Sequence, residues 1–580
     1  MRAHVSTLAA LLCCLGSTVP ALAQPKRDAD MCTVPPGAQA SLPAKLLDGM
    51  GIVNMPVTTK SPKAQRFFNQ GIAQLHSFWA IEAERSFLQA ATLDPTMAMA
   101  YWGIAVAAAG DYRPSFQLMR DPYDGGRMFA VVEGPKGAPI ARDRNGAAIN
   151  GAVRAREAIE KAMAMRDRVT ERERLYILSQ AVRRDPKIKN KDVAYVAALR
   201  TLVAVYPDDN EAKSFLGLAL LNGYDPVTKA PREGTLEGLR LLEEIVAGHD
   251  DHFGAHHYLI HGYEGGTTPE KAWRACERYP QLAPNVPHAL HMPGHIYAQS
   301  DRIDQAIDAF AAAARNERGW MAADILHPNF HHGHNVHFLV HALNLEGRYR
   351  ESMEQVQHLL SFKETPREQA GDSQRVTWRQ GYYALIKTLV RFERWEALLD
   401  PATFPSYDKP VQRAWRAWGS GLAAAATGDL ARARAALAEF QQARDQATAS
   451  KGPLAVAALE LEAAIAAREG DRAKGYELFR RAADTEAALI YTEPPSYPRP
   501  VVEGWGIVAL ALGDYETAVQ AFREALQREP GSGRAYFGIA EALTGLGHAA
   551  EARDMRQRAE RAWDKADPDL RRVTTSAGGQ

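Results

Sequence analysis

The stretch that decides the fold lies near the C-terminus and reads WGIVALALGDYETAVQAFREALQREP, residues 505–530. It contains two alanine-rich apolar segments joined by a short Gly-Asp turn, which is the pattern of two helices in sequence. Gly506 on the first segment and Ala518 on the second are small, so the two helices can approach each other closely. Pro530 ends the second helix, because proline does not fit in a helix interior. The stretch therefore predicts one helix–turn–helix unit.

The same spacing recurs with a period of 34 residues. With Gly506 at position 8, similar residues return at positions 8, 20, 24 and 27 of at least two other units. The matching residues are Gly506, Ala518, Phe522 and Ala525 in one unit, Gly71, Ala83, Phe87 and Ala90 in the second, and Gly294, Ala306, Phe310 and Ala313 in the third. These segments resemble the tetratricopeptide repeat. The resemblance implies an all-α fold, a right-handed α–α superhelix in which stacked helix pairs form a solenoid.

The N-terminus has the pattern of a secretory signal. A short apolar run follows Arg2, and the small residues of Ala21-Leu22-Ala23 indicate cleavage after Ala23. The apolar run is too short to span a bilayer, so we expect a periplasmic or secreted protein without membrane insertion. The predicted organisation is a signal peptide at 1–23, an irregular arm at 24–60, a solenoid at 61–567 with an insertion at 113–150, and a flexible tail at 568–580.

Composition excludes several classes of protein. The chain has 580 residues, of which 46% are hydrophobic and 24% charged, an ordinary globular ratio. Its 69 basic and 69 acidic residues leave no basic field, so we expect no nucleic-acid partner. The mature chain keeps two cysteines, Cys32 and Cys276, and a bridge between them stays open.

Histidine is the unusual residue of this chain, since 14 of its 18 histidines lie between His249 and His341. The repeat register places eight of them and one glutamate at positions 2, 5, 9 and 12 of three successive first helices. Those positions form one stripe of a helix, rotated by about 100° from the packing residues. In tetratricopeptide arrays that stripe lines the concave groove. The nine predicted groove residues are His257, His261, Glu264, His288, His291, His295, His334, His337 and His341.

This stripe predicts a metal site. Two histidines four residues apart on one helix can chelate a single ion, and the pair occurs three times in register. Nine nitrogen and oxygen donors exceed what one ion takes, so two or more ions are expected. Without a thiolate, the donor set suits copper or zinc, and also iron or nickel. The alternative is a titrating polar patch that holds an anionic peptide.

The histidine-containing helices also resemble a family of exported bacterial tetratricopeptide-repeat proteins with no assigned reaction. The matching stretches include HHYLIHGYE at 256–264, HALHMPGHIYAQSDRIDQAI at 288–307 and HNVHFLVHALNLEGRY at 334–349. The resemblance implies the fold and an exported location, and it brings no catalytic residues with it.

Familiar catalytic motifs are absent from the sequence. No histidine is followed directly by glutamate, which excludes HExxH, and neither a GxSxG elbow nor a P-loop is present. Two functions remain. The groove is a transition-metal site, with or without a metal-dependent reaction on a peptide or small molecule, or it is a metal-free scaffold that binds a peptide or protein.

Overall fold

The structure is a computed structural model that describes residues 44–109, 151–323, 329–364, 368–369, 371–489, 492 and 494–570. Within them the chain is helical, and the β-structure consists of one isolated bridge between Tyr224 and Pro231. The prediction of an all-α solenoid is confirmed. The predicted signal peptide, the insertion at 113–150 and Cys32 lie outside the described residues.

The described α-helices are numbered here in chain order. The first twelve are α1 Pro62–His76, α2 Ala80–Leu93, α3 Ala98–Ala109, α4 Gly151–Ala164, α5 Glu171–Arg184, α6 Lys191–Val205, α7 Asn210–Leu220, α8 Thr235–Gly248, α9 Phe253–Tyr263, α10 Trp273–Leu282, α11 Pro287–Gln299 and α12 Ile303–Ala323. The others are α13 Phe330–Leu345, α14 Tyr349–Leu360, α15 Thr377–Arg391, α16 Trp395–Leu399, α17 Pro410–Thr427, α18 Leu430–Gln446, α19 Lys451–Arg468, α20 Arg472–Ala487, α21 Val501–Ala511, α22 Tyr515–Arg528, α23 Gly533–Gly545 and α24 Ala549–Ala562. Short 3₁₀ turns occupy Arg166–Arg168 and Pro269–Ala272.

The Gly-Asp turns of the sequence separate the two helices of a pair. Gly513 adopts a left-handed backbone with φ of 70°, a conformation that glycine adopts without steric cost. The next residue, Asp514, accepts a hydrogen bond from the backbone N–H of Thr517 and so caps α22. Glycine thus ends one helix, and the aspartate begins the next.

The repeat register sets how each helix pair packs. A Cβ added to Gly71 would lie 2.5 Å from the ring of Phe87, and one added to Gly294 would lie 2.5 Å from Phe310. These glycines and phenylalanines occupy positions 8 and 24 of their repeats. The small residue therefore makes room for the aromatic ring that fills the space between the two helices.

Neighbouring helices stack around two large apolar cores. One core runs from Ala44 to Leu345 and the other from Val340 to Ala552, so they meet at α13. The described part of the predicted arm, residues 44–60, contains no helix. The array also folds back on itself, because α1 packs against α9. Near the other end, the N–H of Asp567 donates to the carbonyl of Gly347 at 3.1 Å.

None of the described helices is both long enough and apolar enough to span a bilayer.

Candidate metal centre

Two groups of three imidazoles form where α9, α11 and α13 meet. In each group, the nitrogens that can bind an ion lie within 4.8 Å of one another. We call them triad A, which contains His257, His261 and His288, and triad B, which contains His291, His295 and His334. In both triads, two rings come from one helix at a spacing of four residues, and the third comes from the next helix of the stripe.

Glu264 lies between the two triads and contacts both. One of its carboxylate oxygens accepts a hydrogen bond from Nδ1 of His261 at 2.9 Å, and the other accepts from Nδ1 of His295 at 2.5 Å. The residue is buried, with 2% of its surface exposed. Glu264 was predicted as a metal ligand, and in the structure each of its carboxylate oxygens accepts a hydrogen bond from a triad histidine. It is therefore a link between the triads.

A third histidine is oriented in the same way. Nδ1 of His257 donates to the backbone carbonyl of His76 at the end of α1. A carbonyl or a carboxylate oxygen only accepts hydrogen bonds, so Nδ1 carries the proton in His257, His261 and His295. In the neutral ring, the lone pair is then on Nε2, and this is the tautomer that binds a metal ion through Nε2.

Within each triad, two of the Nε2 atoms lie close together. Nε2 of His257 is 3.1 Å from Nε2 of His288, and Nε2 of His295 is 2.6 Å from Nε2 of His291. Two electron pairs repel at such distances unless a proton or a cation lies between them. In His257 and His295 the ring proton is already on Nδ1. A proton between the two Nε2 atoms must therefore come from the partner ring, His288 or His291, or a metal ion must lie there instead of the proton.

Burial keeps the ring of His291 uncharged. It lowers the pKa of His291 well below its usual range, and the neighbouring His295 and His334 lower this pKa further, with Glu264 acting in the opposite direction. A neutral imidazole is the form that coordinates a transition metal. His291 therefore keeps its lone pair at neutral pH.

The turn between α1 and α2 covers triad A. Phe78 in this turn stacks on His261 with ring centroids 5.1 Å apart and lies 4.4 Å from His257. Its φ of 53° is left-handed, which is rare for a large side chain. The predicted groove is thus closed over at this point, and both histidines are buried.

His337 and His341 do not join either triad in the described part of the chain. The side of α13 that meets α11 carries His334 and, four residues later, Phe338, whose ring stacks on His295 at 4.6 Å. Around the helix, His337 is offset from His334 by about 60°, on the side away from Phe338, and its ring lies 5.9 Å from that of Tyr383 on α15. The repeat register does not distinguish these two faces of α13.

The third histidine pair, His337 and His341, lies near the basic side chain of Lys387. Burial lowers the pKa values of His337 and His341 well below the usual range, and the charge of Lys387 adds to the effect for both. Lys387 is itself buried on α15, which lowers its pKa to about 7. A metal ion at this position would meet the charge of Arg391 near His341 and, below a pH of about 7, that of Lys387.

His76, Glu211 and His252 form a third close group of possible ligands. Here Nδ1 of His252 accepts from the backbone N–H of Ala255 at 3.1 Å and caps α9, so the proton of the neutral ring is on Nε2. Nε2 of His76 donates to Glu211 at 2.5 Å. Burial would raise the pKa of Glu211, but the charge of His76 and its hydrogen bond to Glu211 lower this pKa to about 2. This group has the hydrogen bonding of an ion-pair network.

Sequence reasoning missed two contributors to the site, the carbonyl of His76 and the ring of Phe78. His76 lies at the end of α1, far along the chain from the other histidines of the site. Only the return of α1 onto α9 brings it there, and neither the spacing nor the composition of the sequence indicates that contact.

The fold and the site define a helical repeat protein with a histidine-rich centre. Residues 509–573 match the tetratricopeptide repeat family, so this C-terminal segment is of the tetratricopeptide type. No curated protein is similar enough in sequence to count as a relative of the chain.

Several solved structures are similar at low identity. The human IFIT1 dimer with m7Gppp-AAAA is 10% identical over 87% of this chain and 91% of its own, with a TM-score of 0.29. The APC/C hetero-tetramer Cut9-Hcn1 is 12% identical over 86% of this chain and 76% of its own, with a TM-score of 0.29. The P58(IPK) TPR domain is 11% identical over 84% and 99%, with a TM-score of 0.21. Scores this low carry no conclusion about this chain.

Proposed function

We propose that the protein binds two transition-metal ions, one in each triad, through the Nε2 atoms of six histidines. The observation that carries this proposal is the hydrogen bonding of Nδ1. His257, His261 and His295 each donate Nδ1–H to an oxygen that only accepts. Metal-binding histidines characteristically do this, because the second hydrogen bond fixes the ring and leaves Nε2 free for the ion.

The spacing of the Nε2 atoms supports the proposal. In a tetrahedral site with metal–nitrogen bonds of 2.0–2.1 Å, neighbouring nitrogens lie about 3.3 Å apart. The 3.1 Å between His257 and His288 is close to that value. The 2.6 Å between His291 and His295 is shorter, so their rings would separate by less than about 1 Å on binding an ion.

The donor set suits copper or zinc, and also iron or nickel. Three imidazoles without a thiolate are a common environment for these ions. Three protein ligands also leave a fourth position open for water or another molecule, as in catalytic zinc sites. We therefore include a metal-dependent reaction in the proposal, with the fourth position as the place where it would occur.

Metal content tests the proposal directly. The mature protein is stripped with a chelator, reloaded with Zn²⁺ or Cu²⁺, freed of excess metal and analysed by elemental mass spectrometry. We expect two ions per chain and a rise in Tm on loading, because an ion bound only by the folded protein stabilises it by about 2.7 kcal/mol at 100 times its Kd. A His261→Ala/His295→Ala variant removes one ligand from each triad and should lose most of the metal.

The proposal fails if the wild type and this variant hold the same amount of metal, or if loading leaves Tm unchanged in both. Far-UV circular dichroism of the metal-free proteins checks that the variant is folded.

A peptide-binding scaffold is the second candidate function. It is favoured by the match of residues 509–573 to the tetratricopeptide repeat, whose members generally bind proteins or peptides. Such binding needs an exposed surface, whereas the histidines of α9 are buried. Peptide binding would thus use another surface, and the His261→Ala/His295→Ala variant should leave it unchanged.

We also propose that the protein is exported. The support is the sequence pattern before Gln24. Intact-mass analysis of the protein from its native host should give a chain that begins at Gln24, whereas a chain that begins at residue 1 would contradict export by cleavage.

A further inference from the structure

A pocket of about 90 Å³ lies beside both triads. Its lining includes His288 of triad A and His334 of triad B. These are the partly exposed members of their triads, and the other four histidines are buried. In the described part of the chain, this pocket thus gives a molecule access to one ligand of each proposed ion.

The two proposed ions lie near each other. His288 and His291 belong to different triads but are one turn apart on α11, and their rings are nearly parallel, with centroids 6.2 Å apart. Ions bound to these two rings at similar distances, and in the same direction from each ring, would be separated by an amount on the order of 6 Å. A single bridging oxygen spans metal ions about 3.5–4 Å apart, which is shorter. A group that offers two oxygens on one central atom, such as phosphate or carboxylate, spans the longer distance.

The charges around the pocket favour an anion. Two divalent ions would bring four positive charges to its inner wall, and Arg375 lines the same pocket. Two acidic side chains oppose them: Glu264, which contacts both triads, and Glu317, which lines the pocket and is buried, with Asn335 donating to it at 3.3 Å. Even with both carboxylates ionised, the sum stays positive. The aromatic rings of Phe78 and Trp79 form part of the remaining wall.

We infer that the two ions share one ligand, a small oxyanion that enters this pocket and bridges triad A and triad B. The ligand class is a phosphate or carboxylate group with two free oxygens. Arg375 pairs with the anion, and Glu317 weakens its binding by repulsion. This inference rests on the proposed function, because it requires both ions.

Isothermal titration with inorganic phosphate tests the inference on protein loaded with two Zn²⁺ ions. We expect one phosphate per chain, and no binding to metal-free protein. His334→Ala, which removes a ligand of triad B and leaves triad A complete, should weaken phosphate binding at least tenfold. Acetate titrated in the same way distinguishes a phosphate site from a carboxylate site.

Two pocket variants leave the metal ligands intact. Arg375→Gln should weaken phosphate binding about tenfold, because it removes a charge-assisted hydrogen bond. Glu317→Gln has nearly the same shape but no charge, so it should tighten phosphate binding. Metal content measured before and after each titration shows whether phosphate has removed an ion.

Three results would overturn the inference: two phosphates per chain, equal affinity in the wild type and in His334→Ala, or no binding of phosphate or acetate by a chain that holds two ions. A chain that never holds two ions refutes the proposed function as well. Metal content therefore separates the failure of the bridge from the failure of the ion sites.

Discussion

The histidine pairs of α11 and α13 have the same spacing but different surroundings. His291 and His295 on α11 face His334 and the carboxylate of Glu264. His337 and His341 on α13 occupy the equivalent repeat positions, yet the charge of Lys387 acts on both. The comparison teaches that the two pairs share a spacing that permits chelation but differ in the charge of the side chains around them.

The largest expected effect comes from removing one pair or the other. His291→Ala/His295→Ala should lose one of two metal ions per chain, because triad B keeps a single ligand. His337→Ala/His341→Ala is the matched control on the next helix of the stripe and should keep both ions. Elemental analysis of the two reloaded variants makes the comparison, and a loss of metal in the α13 variant alone would reverse the assignment.

A substitution of Glu264 tests whether its negative charge strengthens metal binding in the two triads. In Glu264→Gln the side chain keeps its size but loses the charge and one of the two acceptor oxygens. Substitutions of such outer partners cost metal affinity by about 10–100-fold. Because Glu264 contacts both triads, competition with a chromophoric chelator should show weaker binding of both ions. If only one ion is bound more weakly, Glu264 does not link the sites as proposed.

A substitution of Lys387 tests whether a buried basic group with a lowered pKa lies beside His337 and His341. The pKa of Lys387 is lowered to about 7 by burial, whereas in the unfolded chain it is about 10.4. Between these values the unfolded state binds more protons, so the wild type should gain stability as pH rises from 7 to 9, by an amount on the order of 2 kcal/mol. Lys387→Met should show much less of this gain in urea unfolding at the two pH values. Equal gains in both proteins would show that burial does not lower the pKa of Lys387.

The smallest expected effect is a change in how stability depends on pH when His337 is replaced. Burial and Lys387 hold its pKa well below the value of about 6.5 in the unfolded chain. Below pH 6.5 the unfolded state takes up a proton that the folded state does not, so metal-free protein loses stability as pH falls, by about 1 kcal/mol per pH unit for one such group. His337→Gln lacks this proton uptake, and its Tm should fall less than that of the wild type from pH 7 to pH 5. A parallel fall in both proteins would count against a neutral buried His337.

Much of the architecture could be predicted from the sequence. Gly71 and Phe87 share positions with Gly294 and Phe310, and in the structure each glycine makes room for its phenylalanine. Such a contact depends on residues about 16 apart in the chain, so a single repeat pattern is enough to find it.

The site was predictable only in part. The spacing of four identified the pairs on α9 and α11, because both members of a pair lie on one helix. Whether His334 or His337 meets α11 depends on the rotation of α13, which the residues of both cores set together. The carbonyl of His76 reaches His257 across 181 positions of the chain, and no local pattern encodes such a contact.

The most direct measurement is the anomalous scattering of a metal-loaded crystal, recorded on both sides of the absorption edge of the ion. Two ions within coordination distance of the Nε2 atoms, one in triad A and one in triad B, are the predicted result. Crystals loaded to two equivalents that show ions only beside His337 and His341, or only at the group of His76, Glu211 and His252, would contradict it.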